Sequence, residues 1–88
     1  MNWQKIRELH PHNWVVVLAL DGRTEKGQRI INQFALMDVC GEDWKAAWER
    51  YKELHAADKW KEYYVLHTDR EELSITVQDA FGRKVMDE

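Results

Sequence analysis

Trp14-Val-Val-Val-Leu-Ala-Leu20 decides how the rest of the chain is read. Every position is apolar and the run is rich in β-branched side chains. Such a segment predicts a strand buried on both faces, in the middle of a sheet. Trp14, Val16, Leu18 and Leu20 share one face, and Val15, Val17 and Ala19 share the other. A sheet built around it needs cover on both sides.

Outward from this strand, the punctuation is sparse: one proline and four glycines in 88 residues. Toward the N-terminus, Pro11 ends a short helix capped by Asn2, with Trp3, Ile6 and His10 at helical spacing and Leu9 on the flank. Toward the C-terminus, Asp21-Gly22 opens a polar loop that runs through Gly27-Gln28 and carries Arg23, Thr24, Glu25 and Lys26. A second strand follows, from about Arg29 to Cys40. Its ladder to strand one makes a hairpin with a long, mobile tip. Phe34 and Leu36 are expected on one face, and Met37 and Val39 on the other.

Gly41 breaks that strand, and a helix is expected over about Glu42 to Ala57. Trp44, Ala47, Trp48, Tyr51, Leu54 and His55 form its apolar stripe, with Lys45, Glu49, Lys52 and Glu53 opposite. Tyr63 to Thr68 reads as a third strand. Thr68 to Glu72 reads as a capped helical turn, and Leu73 to Gln78 alternates as a half-exposed fourth strand. Phe81, Val85 and Met86 lie in a tail, about 79–88, expected to be mobile. The order is α-β-β-α-β-β. A right-handed crossover then gives an α+β domain spanning 1–88, with a four-stranded antiparallel sheet in the order 2-1-3-4. The long helix covers one face and the short N-terminal helix lies on the other.

The series Pro11-x-x-Trp14-Val15, Ala47-Trp48-x-x-Tyr51-x-x-Leu54-His55, His67-Thr68-x-Arg70-Glu71-Glu72-Leu73 and Phe81-Gly82 resembles a group of short, uncharacterised bacterial proteins of similar length. That group tends to carry tyrosine before the proline, where this chain has His10. The resemblance implies a bacterial, cytoplasmic protein. It carries over no activity, cofactor or catalytic residue.

Composition excludes several functions. The formal charge is -3, which weighs against a general nucleic-acid or anionic-membrane binder. No apolar run approaches the roughly 20 residues of a membrane-crossing helix. One cysteine, Cys40, cannot form an intramolecular disulfide. There is no Walker A loop, no G-x-G-x-x-G and no G-x-S-x-G. Cys40 precedes Glu42 and Asp43, whose charge disfavours a thiolate, so it reads as a small buried hydrophobe. His10, His12, His55 and His67 lack the tight paired spacing of a zinc site and read as loop, helix-end and strand-end residues. No catalytic residue, cofactor or metal is therefore assigned.

Five tryptophans in so short a chain are the unusual feature. Trp44 and Trp48 fall in the helical stripe and Trp14 in the sheet. Trp3 and Trp60 lie near element ends, where they serve either as core filling or as contact surface for another protein. The leading expectation is a small non-enzymatic protein-interaction module whose surface draws on Trp3, Trp60, Arg23, Lys26 and Arg29. Its partner is another protein or a second copy of itself, the latter if the two-turn helix and the tail with Phe81, Val85 and Met86 together leave part of the second sheet face bare. One alternative is a nucleic-acid-associated regulator using the Arg23–Arg29 loop. The other is a metal-binding or hydrolytic protein using His10, His12 or Cys40.

Overall fold

A computed structural model describes residues 1–73 in full and residues 75 and 76 as strand backbone. The elements are α1 (Trp3–Leu9), β1 (Trp14–Glu25), β2 (Gln28–Val39), α2 (Trp44–Ala57), β3 (Tyr63–His67) and β4 (Ile75–Thr76). The three full strands form an antiparallel sheet in the order β2-β1-β3, with β1 central as its composition requires. α1 packs on one face and α2 on the other.

Alternation along β1 and β3 divides the core into two clusters. Val15, Val17, Tyr64 and Leu66 join Trp3, Ile6 and Phe34 beneath α1. Val16, Tyr63 and Val65 join Ala47 and Tyr51 beneath α2. One backbone thus serves two apolar layers. The N-terminus extends this arrangement: the Met1 ammonium donates to Phe34 O (2.8 Å), and Phe34 N donates to Met1 O (2.7 Å).

The hairpin differs from the expected long loop. β1 runs on through Asp21-Gly22 to Glu25, with a register shift against β2 on each side of Asp21, and the reversal is the two-residue turn Lys26-Gly27, with φ of 51° and 79°. Positive φ at both central residues matches the twist of paired strands, which is why so short a turn suffices. Gly22 has another use. A Cβ there would lie 2.8 Å from both Ile30 O and Ile31 Cδ1, so its lack of a side chain lets the two strands of the arm close.

β2 also departs from strict alternation. Val16 pairs with Asp38 and Val17 with Leu36, leaving Met37 as the extra residue of a β-bulge. Val39 is thereby returned to the α1 face beside Leu36, rather than sharing a face with Met37. Asp38 comes to the α2 side, where its Oδ2 lies 3.5 Å from Arg50 Nε.

α2 is capped by Asp43, whose side chain accepts from Ala46 N. Its apolar stripe is narrower than its sequence suggests. Ala47 and Tyr51 are buried, Trp48 and Leu54 pack at the margin, and Trp44 is 47% exposed rather than in the core. Trp44 occupies the first turn of the helix.

The expected fourth strand beside β3 is corrected as well. Ile75 and Thr76 pair with Arg29 and Gln28, on the outer edge of β2. The cause lies in the segment after β3. Arg70 N closes a reverse turn onto His67 O, in place of the expected helical turn. Trp3 Nε1 then donates to Arg70 O (2.8 Å), Arg7 Nε donates to Thr68 O (2.8 Å), and Leu73 packs into the cluster under α1. α1 takes the carbonyls of this segment and leads it across the face toward β2. Residue 74, the remainder of the expected strand and the tail at 79–88 lie outside the described residues.

Candidate functional site

Trp60 stands in a tight turn between α2 and β3. Asp58 N continues the helix ladder to Leu54 O, and Lys61 N closes the turn onto Asp58 O at 3.4 Å. Lys59 and Trp60 are the two central residues of that turn, so their side chains point away from the fold. Trp60 is 97% exposed. Lys61 Nζ lies 3.4 Å from Asp58 Oδ2. At the next residue, Glu62 O accepts from Ala19 N at 2.8 Å, which fixes the turn beside the point where β1 outruns β3. Leu20, the next residue of β1, is 60% exposed.

Trp3 is in the core. It is 8% exposed, lies 6.2 Å from the Phe34 ring in a tilted arrangement and uses its only donor on Arg70 O. Nearly all of its surface is spent on filling a small core.

Arg23, Lys26 and Arg29 share the hairpin arm but do not form a basic surface. Arg23 Nε lies 2.8 Å from Glu25 Oε2. Arg29 makes a two-pronged contact with Glu62, Nε to Oε2 and Nη2 to Oε1, each at 2.9 Å. The Tyr64 hydroxyl, from a ring with no exposed surface, donates to the same Glu62 carboxylate. The hydrogen bond that Arg29 donates to Glu62 raises the Arg29 pKa further, despite the opposing effect of burial. Arg29 is thus a strut between β2 and the start of β3. Lys26 remains exposed at the tip. An open cleft of about 350 Å³ borders this strut, lined by Trp3, Arg29, Ile30, Ile31, Glu72 and Leu73.

The histidines are distributed differently from a metal pair. His12 Nδ1 lies 2.6 Å from Asp69 Oδ1, and His67 Nδ1 lies 3.7 Å from Asp69 Oδ2. His67 Nδ1 also accepts from Asp69 N, and its ring meets Trp14 edge-on at 4.9 Å. His10 joins this corner through its carbonyl, which accepts from the Thr68 hydroxyl at 2.7 Å. His55 stacks on Tyr51 at 5.4 Å. Among the described residues no group of three or more His, Cys, Asp or Glu side chains is placed to hold a metal ion.

Cys40 is a partly buried free thiol packed against the cluster under α2. Burial pushes its pKa up, and Asp38 and Asp43 add to the effect, while Arg50 pulls the other way. This is the reverse of nucleophile activation.

Sequence reading missed three contributors. Leu20 is expected in the core, but it is left unpaired by a register shift between Ala19 and Asp21 and lies beyond the start of β3, neither of which a period-2 pattern marks. Nothing in the sequence marks Glu62, since its partner Arg29 is 33 residues away. Thr68 has the pattern of a cap, but its hydroxyl bonds segments more than 50 residues distant. No family model matches the chain, and no curated protein or solved structure is significantly similar to it.

Proposed function

We propose that this chain is a small non-enzymatic protein-binding module with Trp60 as its anchor. The observation that carries the reading is the indole of Trp60, 97% exposed on a turn fixed at both ends by backbone hydrogen bonds. A tryptophan held out on a rigid corner supplies a large contact area with little side-chain entropy to lose. Trp is also enriched among the residues that dominate protein interfaces. Leu20 adds apolar surface next to the turn, and Lys59 and Lys61 supply a polar rim.

Affinity capture from the native cell with three baits tests this: the unaltered chain, Trp60→Ala and Trp44→Ala. A protein recovered by the first and third and lost with the second supports the Trp60 surface. Equal recovery by all three, or none above background with the unaltered chain, overturns it. Trp60→Ala removes no buried contact, so its melting curve should match that of the unaltered chain to within about 0.5 kcal/mol.

A further inference from the structure

β1 is twelve residues long, and β3 pairs only with its first part, Trp14 to Leu18. The Ala19 N–H is taken by Glu62 O. From Leu20 to Glu25 the described residues place no strand along that side of β1, and Asp21, Arg23, Thr24 and Glu25 are exposed. In a ladder closed by a two-residue turn, the flanking pair exchanges both hydrogen bonds and the next pair exchanges none. Glu25 and Arg23 therefore spend their N–H and C=O on Gln28 and Ile30. Thr24 and Gly22 point theirs away from β2. An open edge of this kind is a template for one more strand.

We infer that this edge pairs with the same edge of a second copy, about a two-fold axis at Thr24, to form a sheet continuous through both molecules. The charges choose the register. Centred on Thr24, each Arg23 stands opposite Glu25 of the partner subunit, twice over. Arg23 and Glu25 already share one face, 2.8 Å apart, so four alternating charges meet across the axis. Thr24 N–H and C=O exchange hydrogen bonds with Thr24 of the partner subunit. A centre on Arg23 sets arginine opposite arginine, and Asp21 opposite a glutamate. A centre on Gly22 drives Glu25 of the partner subunit onto Ala19, whose N–H is already committed. An axis at Thr24 avoids both. The two-fold operation makes the contact closed and self-complementary. It extends the protein-binding reading to a second site on the chain and stands on the backbone edge, not on Trp60.

Sedimentation equilibrium of the full chain from micromolar to near-millimolar concentration tests the proposal, with three variants. Thr24→Pro removes the outward N–H and no bond to β2, and an edge position tolerates proline. It should be monomeric across the range. Arg23→Glu places a carboxylate opposite Glu25 of the partner subunit and should weaken association on the order of tenfold. Arg23→Glu with Glu25→Arg restores the alternation and should restore the dimer, which a misfolded variant could not do. A monomer throughout for the unaltered chain, a Thr24→Pro dimer as tight as the original, or a double reversal as weak as the single one each overturns the proposal. None of these results alters capture by the Trp60 surface, so the two readings fail separately.

Discussion

The Thr68 side chain, 2% exposed, fastens the end of β3 to the loop that leads into β1. Its hydroxyl donates to His10 O (2.7 Å) and accepts from Asn13 N (2.9 Å), while its own N–H donates to Asn13 O (2.9 Å). Thr68→Val keeps the shape and leaves both backbone partners of the hydroxyl unmatched. It should cost about 1–3 kcal/mol in urea melts, whereas Thr68→Ser should cost less because the hydroxyl remains. Cys40 makes a prediction of the opposite kind, about inertness. Burial and the neighbouring Asp38 and Asp43 keep its thiol protonated, so a thiol reagent near neutral pH should react slowly with the folded chain and quickly after denaturation. The raised pKa also has a thermodynamic sign. The fold binds this proton more tightly than the unfolded chain does. The contribution is complete below the ordinary thiol range and is lost as pH rises through the folded value. Burial raises the Tyr51 pKa in the same direction. Stability should therefore fall on the alkaline side, and urea melts of Cys40→Ala should show a shallower fall than those of the original chain.

At the scale of the element, α2 is held by a stack of rings rather than by an evenly buried stripe. Tyr51 lies 5.1 Å from Trp48 and 5.4 Å from His55, both nearly parallel to it. Tyr51 and Ala47 are the buried residues of the helix. Tyr51→Ala should cost about 3–5 kcal/mol, as large aromatic truncations in cores do. Trp48→Ala should cost less, because that ring sits at the margin, and Lys45→Ala should cost less than about 0.5 kcal/mol. Equal losses for Tyr51 and Lys45 would refute this placement of the helix. The hairpin gives a second element-level prediction. Lys26 holds φ of 51° with a side chain that gains nothing from it. Lys26→Asn supplies the residue this turn prefers and should raise stability by roughly 0.5–1 kcal/mol. Gly22→Ala, in the same hairpin, should lower it by about 1–3 kcal/mol, because the new methyl meets backbone at Ile30.

At the scale of the whole molecule, β1 joins the two core clusters. Val15 and Val17 belong to the layer under α1 and Val16 to the layer under α2, so neither layer should melt alone. Ile6→Ala, which opens the first layer, should lower the midpoint of a single transition seen at the same temperature by tryptophan fluorescence and by far-UV circular dichroism. The central place of β1, the antiparallel α+β architecture and the division of Val15, Val16 and Val17 between two faces were legible in the sequence. They depend on side-chain polarity repeating along a local backbone, and the pleat reads that pattern directly. Other features needed the tertiary structure. The bulge at Met37 reassigns Val39, the start of β3 at Tyr63 leaves Leu20 and Trp60 in water, and α1 draws the segment after β3 toward β2. The partners of Arg29 and Thr68 lie 33 to 58 residues away in the chain. Periodicity tells a side chain which face to take. Whether anything stands over that face, or beside that edge, depends on where distant segments end, and only the folded chain brings them together.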